Sequence, residues 1–349
     1  MKRTLNRILA LGMAICMLLS LVVVQASAAT TTDGLQSQIS AAAGSSVQIV
    51  LDGDVTLDQT IQIPAKTAVT ITTDGAARTV KRGEGLTAAM FNVPAGSTLT
   101  LSGGEGRLVL DGASVKASAA MVTSAGTLEL TNVDAKNAVN SKTGGAVYLT
   151  AGKLSVSGCS FTGNSAKTGG AIDTKTQTYI SVTVADSSFT GNTATTNGGA
   201  AVYVANTSAS FDGCTFTENT VAGNTDSVGG ALCFYAVSAS QTAITVSGST
   251  FTGNTAPNGG AIGLSDKGSF RSGRAIVNWT DCSFTGNSAA GKGGAIAIPY
   301  SCENAMHCVV TLSGCTYSGA LTVTAKLTVK AQTARMFLVV LWPALRHSP

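Results

Sequence analysis

The residues best able to do chemistry in the repetitive half of the chain are its carboxylates. They are Asp173, Asp186, Asp212, Glu218, Asp226, Asp266, Asp281 and Glu303. Paired carboxylates beside a Lys or Arg would support acid–base catalysis or calcium binding. Here the acids fall singly, in different repeat positions, and no pair shares a face. A second cluster, Cys302, His307 and Cys308, offers three metal-type ligands in one loop. A zinc site wants four, and in an exported loop a local Cys302–Cys308 disulfide is the preferred reading. Calcium-binding Gly-Gly-x-Gly-x-Asp nonapeptides are absent. The sequence therefore presents no catalytic, cofactor or metal constellation, and its functional reading rests on the elements that carry these residues.

Those elements repeat. Phe-Thr-x-Asn motifs stand at Phe161–Asn164, Phe189–Asn192, Phe216–Asn219, Phe251–Asn254 and Phe284–Asn287, with a decayed copy at Tyr317–Ala320. Gly-Gly-Ala motifs begin at Gly144, Gly169, Gly198, Gly229, Gly259 and Gly293 and alternate with them. Seven positions before each aromatic stand Leu154, Val182, Ala209, Ile244, Val277 and Val310. Five positions before it stand Val156, Val184, Phe211, Val246, Trp279 and Leu312. The residues between these two columns are polar, a period of two that marks a half-buried strand.

Three positions before the aromatic, Gly158, Asp186, Gly213, Gly248, Asp281 and Gly314 supply a corner, which makes Asp186 and Asp281 turn residues rather than catalysts. The next column, Cys159, Ser187, Cys214, Ser249, Cys282 and Cys315, reads as a small inward slot holding buried thiols. Repeats of this length fit one coil of three short strands plus loops. The predicted fold is all-β: a single-stranded right-handed parallel β-helix. Stacking would align Phe161, Phe189, Phe216, Phe251 and Phe284, and join Asn164, Asn192, Asn219, Asn254 and Asn287 in an amide ladder. Each buried Phe contributes about 1.5–3 kcal/mol, and loss of one ladder amide costs about 1–3 kcal/mol.

Weaker strands are expected upstream at Val47–Leu51, Val55–Ile63, Val69–Thr72, Leu99–Leu101, Leu108–Leu110 and Leu128–Leu130. Leu35, Ile39 and Ala43 follow Asp33 at helical spacing and predict a short capping helix, as the open end of a solenoid requires. Residues 1–28 read as a secretion signal: Lys2, Arg3 and Arg7, the apolar run Ile8 to Val24, then Ala26-Ser27-Ala28, engaging the export machinery. Residues 29–320 read as one domain, with clear repeats over 144–319. The tail 321–349 reads as a cap or as the remnant of a truncated or frame-shifted longer protein. With charged residues at only 11%, and 15 basic against 18 acidic residues over 29–320, no nucleic-acid footprint is present.

The alternating signals, such as Gly144-Gly145-Ala146-Val147 and Phe161-Thr162-Gly163-Asn164, resemble the repeats of chlamydial polymorphic membrane proteins over residues 144–319. That resemblance implies a β-helical passenger displayed at the cell surface or outer membrane and used in adhesion. Similar repeats occur in secreted proteins grouped with pectin-lyase-like β-helices, so a carbohydrate-active enzyme and an inert stalk stand as alternatives. The Asn-Thr-Asp, Asp-Asp and Gly-His-Gly signatures of pectinases are missing.

A binding face is expected where the repeats vary. From the second Gly of each pair to the next aromatic, the spacing rises from 16 residues in the first copy to 24 in the fifth. The added length falls in loops 173–179, 205–208, 235–242, 265–274 and 299–307, which carry Lys175, Tyr179, Tyr235, Lys267, Arg271, Arg274 and Tyr300. The column Tyr148, Asp173, Tyr203, Cys233, Gly263 and Ala297 alternates outward and is read as a solvent-facing strip beside them. On that reading Cys233 alkylates while Cys159 and Cys214 resist. The expected partner is a host or environmental glycan or surface protein, with no cofactor.

Overall fold

The computed structural model describes residues 31–174, 180–205, 207–235, 243–265, 275–298, 308–318, 320–323, 326–330 and 337–338. The chain winds as a parallel β-solenoid, and every strand pairing is parallel and in register from coil to coil. Among the described residues, four sheets run along the stack, of 11, 10, 7 and 11 strands. Sheet I holds 11 strands, among them Lys153–Ser157 and Ser181–Ala185. Sheet II holds 10, among them Ser160–Thr162 and Ser188–Thr190. Sheet III holds 7, among them Ser165–Ala166 and Thr193–Ala194. Sheet IV holds 11, among them Val147–Leu149, Ile172–Thr174 and Val202–Ala205.

The coil thus has a fourth strand where the sequence reading expected three. Five of the seven sheet III strands are the two residues after a ladder Asn; the other two, Lys116–Ala117 and Val139–Asn140, precede the ladder. Once the Asn side chain has fixed the corner, the backbone at once resumes coil-to-coil bonding, as in Thr193 N to Asn164 O at 2.8 Å and Thr220 N to Asn192 O at 2.9 Å.

The predicted columns meet in the core. Leu154, Val182, Ala209, Ile244 and Val277 are buried, as are Val156, Val184, Phe211, Val246, Trp279 and Leu312. Phe161, Phe189, Phe216, Phe251, Phe284 and Tyr317 stack as one column of near-parallel rings, with centroids 4.7–5.0 Å apart. Strand spacing and ring stacking coincide here, so each ring adds a packing contribution beyond its area.

The Asn ladder is complete in its bonding. Nδ2 of Asn192 donates to Asn219 Oδ1 at 2.9 Å and to Phe161 O at 2.9 Å. Its Oδ1 accepts from Asn164 N and Asn164 Nδ2, both at 3.0 Å. Asn219 and Asn254 repeat this pattern, so both amide protons and both lone pairs of each buried side chain are used. The corner column has positive φ throughout, including Asp186 at 49° and Asp281 at 53°, which makes both turn residues.

The second Gly of each pair sits where coils touch through backbone. A Cβ on Gly230 would lie 1.9 Å from Gly260 O, and one on Gly260 would lie 2.2 Å from Gly294 O. In the third copy the register is one residue later than the motif suggests: Val202, not Ala201, pairs with Ile172 and Leu232. Gly199 takes the positive-φ place there, and Ala200 fills the second-Gly place, fully buried.

A helix, Thr32–Ala41, covers the N-terminal end. The Thr31 hydroxyl accepts from Gly34 N at 3.2 Å as its N-cap, and Leu35 and Ile39 are buried on the first coil. Ala43 lies past the helix end and is exposed, because the helix stops at Ala41. The Gln36 amide pairs with the backbone of Gln62 (3.0 and 2.7 Å), taking the place of a further strand at that edge. At the other end, Ala320–Val323, Lys326–Lys330 and Phe337–Leu338 pair in register on the strands before them.

Candidate functional site

The candidate face lies along sheet IV and the corner that follows it. Tyr148, Asp173, Tyr203, Cys233, Gly263 and Ala297 occupy one register position, so the structure brings the predicted column together. Its exposure differs from the expectation. Tyr148 is half-buried, whereas Asp173, Tyr203, Cys233 and Ala297 are buried. The strip is outward with respect to sheet IV but is covered by the segment that precedes each Gly pair.

Thr168 and Val228 form that cover. Thr143 pairs with Thr168, and Val228 pairs with both Gly198 and Asn258, making a narrow ladder outside the strip. Val228 packs with Tyr203, Ala205 and Cys233, and half-buried Tyr235 packs against them. Tyr203 and Tyr235 stack at 5.8 Å. A Cβ on Gly263 would come within 2.5 Å of the Val228 Cβ, so the column shrinks to Gly where the cover presses closest. The shift to Gly263 and Ala297 was the one sequence signal of a covered strip. Thr168 and Val228 themselves carry no motif.

The electrostatics follow from this burial. Asp173 Oδ2 accepts from the Thr168 hydroxyl at 2.5 Å, and no cation pairs with it among the described residues. Desolvation pushes its carboxyl up to about 7, against the opposing effect of that hydrogen bond. Burial raises the Tyr203 hydroxyl and the Cys233 thiol as well, with the Asp173 charge adding to both. Tyr148 is raised by partial burial and then by Asp173. Cys233 is thus an inert buried thiol, contrary to the expectation that it would alkylate. A lone carboxyl between two tyrosines, with no second acid, is a weakly acidic polar cluster and lacks the paired groups of a hydrolytic site.

Among the other predicted face residues, Tyr235 stands at the end of its strand beside this cluster. Tyr179, Lys267, Arg271, Arg274 and Tyr300 lie outside the described residues, as do Cys302 and His307. What the structure does place is the origin of their loops. Segments 150–152, 175–180, 206–207, 236–242, 266–274 and 299–307 all join the end of a sheet IV strand to the start of a sheet I strand. These connections run from two to nine residues, and those from sheet III to sheet IV in the same coils from five (167–171) to ten (222–231).

Residues 158–175, 186–204, 248–265 and 281–299 match the model of the Chlamydia polymorphic membrane protein (Chlamydia_PMP) repeat. These four coils are similar to that repeat. Each matched unit starts at a positive-φ corner (Gly158, Asp186, Gly248 or Asp281) and runs through sheets II, III and IV. The matched stretches end at the start of the insert, leaving most of the insert and sheet I outside them. No curated protein and no solved structure matches the chain.

Proposed function

We propose that this chain is a surface-displayed, non-catalytic binding module of the adhesin type. In this reading the solenoid presents inserts of differing length along one edge to a glycan or protein surface. The observation that carries it is the range of the connections from sheet IV to sheet I, from two residues (206–207) to nine (266–274 and 299–307), while the repeat unit keeps its corners, ring stack and ladder. A scaffold constrained by core stacking and free in its loops is how solenoids build recognition surfaces. The aromatic and basic content of those inserts, with Tyr179, Lys267, Arg271, Arg274 and Tyr300, suits stacking on sugar rings and pairing with acidic groups. Half-buried Tyr148 and Tyr235 border the same edge. The repeat family supports a location at the cell surface or outer membrane, reached through the N-terminal export signal.

The test replaces residues 265–274 with the three-residue connection 150–152 of the first repeat. The variant is expected to keep its circular dichroism and melting transition and to lose binding to immobilised mucin. Retained binding would move the site elsewhere. Release of reducing or unsaturated ends from pectin or another acidic glycan by the wild-type chain would favour a carbohydrate-active enzyme instead.

A further inference from the structure

The inward slot after each corner holds Cys159, Ser187, Cys214, Ser249, Cys282 and Cys315 in stacking order. For most of the stack a hydroxyl follows each thiol. The Ser187 hydroxyl accepts from Cys159 N at 3.1 Å and donates to Ala185 O at 2.7 Å. Ser249 does the same with Cys214 N at 3.1 Å and Ser247 O at 2.9 Å. The alternation ends at the last step, where Cys282 and Cys315 are direct neighbours.

Their adjacency is fixed by the register. Thr316 N donates to Cys282 O at 2.9 Å, Ser283 pairs with Thr316, and Phe284 pairs with Tyr317. Equivalent residues on adjacent strands lie about 4.8 Å apart, within the roughly 4.4–6.8 Å between Cα atoms that a disulfide spans. The other slot cysteines are separated by a serine, a spacing of about 9.6 Å from the same strand repeat, which a disulfide cannot bridge. Both side chains are buried on the inner face, and both are thiols in the structure. The two thiols make equivalent contacts in the slot: Cys282 lies against Thr280 O at 3.3 Å and Val246 O at 3.4 Å, and Cys315 against Ser313 O and Trp279 O, both at 3.5 Å, so the two side chains occupy the same place in successive coils.

We propose that Cys282 and Cys315 close into a disulfide that staples the two neighbouring coils as the chain folds in an oxidising compartment. The oxidant is a small exchangeable disulfide or a dithiol–disulfide oxidoreductase. The Cys315 thiolate attacks one sulfur of that disulfide, forming a mixed disulfide and releasing one thiolate. Cys282, deprotonated, then attacks the Cys315 sulfur and releases the second thiolate. The chain loses two electrons and two protons, and the incoming disulfide gains them as two thiols. Burial of both sulfurs places this exchange before the strand bearing Cys315 docks. Once closed, the bond is shielded from reductant by the same packing.

The test refolds the full chain with reduced and oxidised glutathione, denatures it, blocks free thiols with N-ethylmaleimide and maps the digest by mass spectrometry. The expected result is a pair of peptides joined through Cys282 and Cys315 and separated by reduction, with Cys159, Cys214 and Cys233 labelled. The Cys315→Ser and Cys282→Ser variants extend the thiol–hydroxyl alternation. They should melt with reduced wild-type chain, below the oxidised wild type. Labelling of both Cys282 and Cys315 after oxidative refolding would overturn the proposal, as would linkage of either to another cysteine.

Discussion

Truncating Asn254 to alanine tests the ladder most directly. Its Nδ2 donates to Asn287 Oδ1 and Phe216 O, and its Oδ1 accepts from Asn219 N and Asn219 Nδ2. Asn287 Oδ1 keeps a partner in Asn254 N and Asn219 Nδ2 keeps one in Phe189 O, but Phe216 O, Asn219 N and one Asn219 amide proton lose theirs. At about 1–3 kcal/mol for each unsatisfied group, Phe216 O and Asn219 N together cost at least about 2 kcal/mol, above the floor of the single-group figure expected from sequence, and the unpaired amide proton adds to it. Asn164, at the start of the ladder, accepts only from Ala138 N; its removal orphans that donor and Ala135 O, so Asn164→Ala should cost less. Asn254→Asp keeps the volume and removes the two donors, and it should destabilise at neutral pH at least as much as alanine. The assay is the urea midpoint together with amide exchange at Asn219, against Thr252→Ala on the exposed face of the same coil. Solenoids can unfold in stages, so the local exchange reading identifies which coil has opened. Asn254→Ala melting with the Thr252→Ala control, with Asn219 still protected, would refute the ladder argument.

Three further outcomes follow from the packing. Gly230→Ala should cost about 3 kcal/mol or more, the top of the overpacking range, because the added methyl meets the Gly260 carbonyl at 1.9 Å; a wild-type melting curve would contradict the close stacking. Asp173 has a folded pKa raised to about 7 from 3.8, so its favourable contribution is complete below about pH 4 and is lost as pH rises toward 7. That loss is on the order of 4 kcal/mol, and Asp173→Asn should be more stable than wild type at pH 8, with the difference shrinking by pH 5. Equal wild-type and variant melting temperatures at both pH values would show that the carboxyl is solvated. Cys233 should resist N-ethylmaleimide in the native chain as fully as Cys159 and Cys214, and preferential labelling of Cys233 would show that the Val228 cover is open.

The sequence by itself determined the stacked columns. Inward residues at period two, a corner of Gly and Asp, and one Phe and one Asn per repeat can be satisfied together only if like positions stack on like. Local chemistry therefore specified the ring column, the ladder, the thiol slot and the N-terminal cap. Tertiary structure alone decided three matters. Sheet III exists because the two residues after the corner bond between coils, in the ladder repeats and also at Lys116–Ala117 and Val139–Asn140 before the ladder begins, which no side-chain pattern marks. The third Gly copy is read one residue later because Val202 must enter the core beside Ile172 and Leu232, and the Gly198–Gly199–Ala200 string fits either frame until that burial chooses. The strip from Tyr148 to Ala297 is largely covered because alternation reports which side of a sheet a residue faces, while Thr168 and Val228 arrive over that side from a separate segment of the coil. Whether an outward residue meets water depends on contacts between distant parts of the chain, and a period of two carries no information about them.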